Sequence, residues 1–345
     1  MHLEADPTES HLGLLAELRD QLTGSVKAKV ALRGYSSWKI GGPADIFIQP
    51  ADTQDIGHAL RILTKYQCPL LVIGHGTNLL FDDDGFRGAV IRIANSMSDY
   101  NIDDSRIRAQ AGVWIPHLAR VAARAGLSGL EHAIGIPGTL GGLVVMNGGS
   151  QRKSIGDCVS SVRAVDREGN ARQFTAEECA FAHRSSIFQR GGWIVSEVEM
   201  EYARKDPRIM RAEMLAILTD RSTKFPRKMP NCGSVFVSGG EMYQRFGPPG
   251  KVIEAAGLKG TRIGDAMVST QHANFIINCG NAGSRDILDL VRVVSDRVYD
   301  YCGVRLLGEV KYVSPHGVVL PVSDAVAPPE FDTVPDVFKD TVSKQ

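Results

Sequence analysis

The spacing of apolar and polar positions changes several times along the chain. Leu12, Leu14, Leu15 and Leu18 recur at helical spacing within residues 1–25, which predicts a helical lead-in whose removal is tolerated. Strand and turn patterns begin near residue 32, with a short apolar run at 44–49 after Gly41-Gly42-Pro43. Residues 53–66 read as a helix capped by Thr53, with Ile56, Leu60 and Leu63 on one face. A buried strand is expected at 69–73, a second at 89–93 after the Asp84-Gly85 turn, and an alternating third at 106–111. Residues 116–125 form a helix opened by Pro116 and stopped by Gly126. Beyond a glycine-rich stretch at 135–149, strands are expected at 159–166, 171–174 and 193–202, with a helical segment at 175–182. Then come a helix at 210–223, strands and loops over 233–280 and an amphipathic helix at 284–301, with Ile287, Leu288, Val291, Val294 and Val298 on one side. A last strand is expected at 304–313, followed by a loosely ordered tail. The polar run at 203–209 marks a domain boundary. It gives a lead-in at 1–30, a first domain at 31–205, a second at 206–314 and a tail at 315–345.

With 345 residues, 43% of them hydrophobic and 23% charged, the chain is globular and long enough for two or three domains. The 39 basic and 39 acidic residues balance, which argues against a general affinity for nucleic acid or anionic membranes and leaves room for a local basic pocket. No apolar run reaches the roughly 18 residues of a membrane span, and residues 1–10 lack a basic leader, so a cytoplasmic protein is expected. The six cysteines form no C-x-x-C pair and read as reduced thiols. No histidine pair has metal-ligand spacing, so no metal site is expected.

The 36 glycines exceed the roughly 7% of average composition and cluster between apolar runs. One cluster, Gly74-His75-Gly76-Thr77-Asn78-Leu79, follows a strand. Leu79 stands where a Rossmann fingerprint needs its third glycine, and no Walker A sequence occurs. The other cluster is Gly135-Ile136-Pro137-Gly138-Thr139-Leu140-Gly141-Gly142, followed by Asn147 in Met146-Asn147-Gly148-Gly149. Glycine lets backbone amides approach a phosphate without a Cβ between them. Each cluster alone could be an ordinary turn, but the two together point to a pyrophosphate cradle. Arg184, Ser234 and Glu309 stand in polar positions. Taken singly, each reads as well as a surface or turn residue. Ser234 has no nucleophile-elbow glycines around it, which weighs against a hydrolase.

The ordered motifs resemble the UDP-N-acetylenolpyruvoylglucosamine reductase (MurB) family over residues 33–313. They are Ser37-Trp38-Lys39-Ile40-Gly41-Gly42-Pro43-Ala44, both glycine clusters, Arg184-Ser185-Ser186-Ile187-Phe188, Gly233-Ser234-Val235-Phe236, the 253–260 segment, His272-Ala273-Asn274-Phe275 and Leu307-Gly308-Glu309-Val310. The short segment between Phe188 and Trp193 resembles the family's second type. The resemblance implies an α+β fold: an FAD-binding domain of the vanillyl-alcohol-oxidase (PCMH) type, made of two subdomains, followed by a smaller α+β substrate-binding domain.

It also implies chemistry. NADPH reduces FAD and leaves, a UDP-sugar enolpyruvyl ether enters the same site, and the flavin N5 gives hydride to its vinyl carbon, in peptidoglycan precursor synthesis. The implied catalytic residues are Arg184, which stabilises the enolate; Glu309, as a neutral or proton-sharing carboxyl; and Ser234, as a proton donor hydrogen-bonded into the site. The implied cofactor-binding residues are Gly74 to Leu79, Gly135 to Thr139, Gly141, Gly142 and Asn147. Lys224 is implied at the substrate phosphates. The family's usual Lys-Asn-Pro after Gly-Ser-x-Phe is Val237-Ser238-Gly239 here, which leaves Ser238 as the polar substrate contact, and its Tyr-Arg pair is His183-Arg184. Two other readings stay open: a paralogous flavin reductase of a different enolpyruvyl or unsaturated sugar nucleotide, and a flavin-binding protein without turnover.

Overall fold

The computed structural model describes residues 7–326. Its N-terminal part contains α1 (Pro7–Gln21), β1 (Ser25–Ala31), β2 (Pro43–Gln49), α2 (Thr53–Lys65), β3 (Leu70–Ile73), β4 (Leu79–Phe81) and β5 (Phe86–Arg92). Four of the strands form a sheet in the order β1-β2-β5-β3, antiparallel at β1–β2 and parallel elsewhere. Ile46, Ile48, Ala89 and Ile91 enter the largest core, while Phe47, Ile73 and Val90 enter a second core on the opposite face. Burial on both faces explains why these strands read as continuous apolar runs rather than alternating ones. The cap of α2 is Asp52, not Thr53: its carboxylate accepts the Gln54 and Asp55 amides at 2.8 and 2.9 Å, where an anion also complements the helix dipole. The lead-in helix is not dispensable packing. Leu14, Leu18 and Leu22 are buried in the largest core, and exposing each would cost about 1.5–3 kcal/mol.

A five-stranded antiparallel sheet follows. It joins β6 (Tyr100–Asp103) and β7 (Arg106–Gln110) to the strands Trp193–Glu201, Val159–Asp166 and Ala171–Thr175. Helix α3 (Ile115–Arg124) and the short α4 (Leu140–Val145) lie between β7 and these later strands in the chain. The segment 175–182 forms successive turns rather than a helix. Ala180 adopts φ 46°, and the Ile187 amide takes the Cys179 carbonyl that a longer helix would have used.

The C-terminal part holds α5 (Pro207–Lys224), α6 (Gly240–Phe246), α7 (Pro249–Ala255), a three-stranded meander (Arg262–Ile263, Ala266–Val268, Ile276–Asn278) and α8 (Ser284–Cys302). The buried face of α5, Met210, Met214 and Ile217, joins the N-terminal core. The apolar stripe of α8 fills a separate core that also receives Trp38, Ile40 and Leu80. Trp38 is fully buried, and its Nε1 donates to the Ile276 carbonyl at 2.7 Å. The Asn278 side-chain amide donates to the Trp38 carbonyl at 2.9 Å.

The last strand is shorter than expected. Only Lys311–Val313 is a strand, running parallel to β4 and antiparallel to Val319–Pro321. The preceding residues are irregular, with one bridge from Gly308 to Phe236. The expected tail is folded at its start, where Val322 in α9 (Val322–Ala325) is fully buried. Its remainder, 327–345, lies outside the described residues. Among those described, no helix is long and apolar enough to cross a membrane.

Candidate active site

A cavity of about 1110 Å³ runs between the N- and C-terminal parts, just above the roughly 300–1,000 Å³ of ordinary small-molecule sites. Both glycine loops line it. The first leaves β3 at the C-terminal end of a parallel strand and turns through Gly76, at φ 61°. A Cβ on Gly76 would lie 2.0 Å from the Tyr35 carbonyl oxygen, and one on Gly74 would lie 2.4 Å from the Thr139 hydroxyl. Glycine is therefore what lets the two loops close on each other. Among the described residues the amides of His75, Gly76, Thr77 and Asn78 donate to no backbone carbonyl. Such unpaired amides facing a cavity suit an anion. In the second loop, the Leu140 and Gly141 amides are tied to the Val113 and Ala111 carbonyls, which fixes the loop against the sheet.

Arg184, Ser234 and Glu309 come from three distant segments and all line this cavity. An Arg184 Nη lies 3.5 Å from a Glu309 carboxylate oxygen. Arg184 sits at φ 53° in a tight turn closed by reciprocal Ala182–Ser185 backbone bonds. The Ser186 hydroxyl anchors that turn to the Val145 carbonyl at 2.7 Å. The Ser234 and Glu309 segments pair with each other: the Glu309 amide donates to the Val235 carbonyl at 2.8 Å and the Val237 amide to that of Leu307. Asn274 brackets Phe236 from the other side, accepting its amide and donating to its carbonyl. Asn78 completes the link by donating to the Glu309 carbonyl at 3.1 Å, so the first glycine loop and the acid are fixed together.

Burial pushes the Glu309 pKa up, against the opposing pull of Arg184 and His183. Desolvation disfavours the ionised form, while the Arg184 guanidinium at 3.5 Å opposes that shift. The Ser234 hydroxyl makes no hydrogen bond to another described residue, which differs from the expected tie into the site. Cys232 also lines the cavity, and burial pushes its thiol up to about 12, leaving it un-ionised at neutral pH.

Three expected contacts are corrected. Asn147 does not line the cavity. Its side-chain amide donates to the Ala182 carbonyl at 2.7 Å and its Oδ1 accepts the Gly156 amide at 3.0 Å, so it holds the Arg184 turn instead. Lys224 lies at the exposed end of α5, ion-paired with Asp220 one turn earlier at 2.6 Å, and is absent from the cavity wall. Ser238 is exposed and also outside the wall, because pairing with Leu307 ends at Val237. The cations on the cavity wall besides Arg184 include Arg221, Arg227, Lys228 and Lys311. Sequence reasoning missed them. Lys311 was within reach, since a residue two positions from Glu309 in extended chain lies on the same side.

Comparison with known proteins agrees with this architecture. The FAD binding domain family matches residues 44–175, which include both glycine loops. The UDP-N-acetylenolpyruvoylglucosamine reductase C-terminal domain matches residues 225–313, which include Ser234 and Glu309. UDP-N-acetylenolpyruvoylglucosamine reductase 1 of Corynebacterium glutamicum is 45% identical, over 89% of this chain and 92% of its own length. The chain belongs to the UDP-N-acetylenolpyruvoylglucosamine reductase family. The Heliobacterium modesticaldum reductase is 42% identical over 82% of this chain and 89% of its own. The solved MurB reductase of Thermus caldophilus superimposes with a TM-score of 0.71 at 31% identity, covering 84% of this chain and 99% of that one. With that family comes an FAD-binding domain, and the residues present fit the group: facing glycine loops, unpaired amides and a cavity open to both.

Proposed function

We propose that the protein reduces UDP-N-acetylglucosamine enolpyruvate to UDP-N-acetylmuramate at the expense of NADPH, as a cytoplasmic step in peptidoglycan precursor synthesis. The observation that carries this reading is the meeting of Arg184, Glu309 and Ser234 in one cavity with the two glycine loops. Residues 31–205 would grip the dinucleotide and 206–314 the sugar nucleotide. When bound, FAD supplies two-electron storage between reductant and substrate.

The remaining chemistry belongs to side chains. Arg184 holds the substrate carboxylate and, with Glu309 as a neutral or proton-sharing carboxyl, faces the negative charge that grows as the vinyl group is reduced. Fixed donors in a water-poor cleft stabilise such charge far better than solvent does. Ser234 then transfers its proton to the carbon bearing the carboxylate and recovers one from solvent. Arg221, Arg227, Lys228 and Lys311 on the cavity wall supply positive charge suited to a diphosphate.

Anaerobic half-reactions test the proposal. NADPH should bleach the flavin of the holoenzyme, and the enolpyruvyl sugar nucleotide should restore its colour in a single turnover. Bleaching without recovery by that compound, but with recovery by another unsaturated sugar nucleotide, would support the second reading, which the Val237-Ser238-Gly239 departure favours.

A further inference from the structure

The motif Ser37-Trp38-Lys39-Ile40 has a clear structural role through Trp38, but that role leaves Lys39 unexplained. Lys39 adopts φ 61°, a conformation that costs an L-residue energy and persists where the surroundings impose it. It lines the main cavity and also a side pocket of about 350 Å³ that opens from it through Ser37, His75, Thr77, Trp114 and Pro137. Tyr35 and Arg92 also line this pocket. Arg92 ends β5 opposite Ile73, one residue before the first glycine loop, and its guanidinium lies 5.0 Å from the Tyr35 ring centre. Its Nε is buried without a hydrogen-bond partner among the described residues. Neither Arg92 nor Lys39 is ion-paired there, and no carboxylate lines the pocket. Two cations thus line the pocket with no opposing carboxylate among the described residues, which suits an anionic group from outside the chain.

We propose that the side pocket binds a phosphate monoester, held between Arg92 and Lys39. Resting on the function proposed above, it is the 2′-phosphate of NADPH, which makes these two residues the selectors of NADPH over NADH. The charge count favours that group. A phosphate monoester carries about −1.5 to −2 at pH 7, which two side-chain cations match, whereas a flavin diphosphate would be met by the unpaired amides of the glycine loop. A planar guanidinium also suits bidentate contact with phosphate oxygens.

The test compares flavin reduction by NADPH and by NADH in the holoenzyme, in wild type and in Arg92→Met and Lys39→Met. Each variant should raise KM for NADPH on the order of 10-fold or more, leave NADH-driven bleaching at the wild-type rate and retain full flavin. Inorganic phosphate should compete with NADPH in the wild type and not in Arg92→Met. An unchanged NADPH-to-NADH ratio in both variants would overturn the inference. So would loss of FAD with the ratio intact, which would assign the pocket to the flavin. Failure of NADPH to bleach the wild-type flavin would instead strike the proposed function itself.

Discussion

Replacing Asn147 with aspartate isolates one bond that holds the Arg184 turn. Asn147 sits at φ 40°, a left-handed conformation that Asn and Asp both tolerate. The substitution keeps shape and backbone, and it keeps acceptance of the Gly156 amide. It removes the 2.7 Å donation to the Ala182 carbonyl and sets a carboxylate oxygen against that carbonyl. Losing a buried partner of this kind costs about 1–3 kcal/mol. For a folding unit of 150–250 residues that corresponds to a fall in Tm of roughly 2–12 °C. The turn it releases carries Arg184, so oxidation of the reduced flavin by the enolpyruvyl substrate should slow while FAD content stays whole. Asn147→Ala should cost about 1–2 kcal/mol more, because alanine resists positive φ. Differential scanning fluorimetry, flavin absorbance and stopped-flow reoxidation read the three quantities. If Asn147→Asp sheds FAD with its Tm unchanged, Asn147 is a cofactor ligand and the assignment to the Arg184 turn is wrong.

Ser234→Ala should preserve NADPH-driven bleaching and slow substrate reoxidation by about 10²–10⁴-fold, the usual worth of a positioned proton donor; wild-type rates in both half-reactions would remove Ser234 from the chemistry. A Cβ on Gly138 meets only the Thr77 hydroxyl at 3.7 Å, so Gly138→Val should fold normally and bind FAD poorly, and full flavin occupancy after gel filtration would contradict the cradle. Burial raises the Glu309 pKa in the folded state. That residue's contribution to stability is thus complete below its unfolded pKa of about 4.3 and is lost as pH rises through the folded value. Glu309→Gln should therefore become progressively more stable relative to wild type as pH rises above about 4.3, while reoxidation by substrate falls. A pH-independent stability difference in denaturant titrations would argue against the raised value.

The sequence alone carried the elements whose signals are local. Residues 284–301 repeat apolar positions at helical spacing, and α8 buries that stripe. The runs at 44–49 and 89–93 are apolar without interruption, and both faces of the corresponding strands are covered. The glycine clusters were legible because few other demands concentrate so many residues lacking a side chain. Tertiary structure decided what depends on partners remote in the chain. The stretch 175–182 has helical composition, yet Ile187 captures the carbonyl a helix would need. Asn147 follows the glycine cluster in sequence, but Ala182 and Gly156 claim both ends of its side chain. The resemblance implied Lys224 at the substrate phosphates, but Asp220 is one helical turn away and pairs with it. Arg92 carries no motif at all. Only the fold places its guanidinium against Tyr35, with an Nε unpartnered among the described residues. Spacing along the chain records backbone preference and periodicity, whereas a polar side chain's role is set by whichever donor, acceptor or charge the fold brings within about 3 Å.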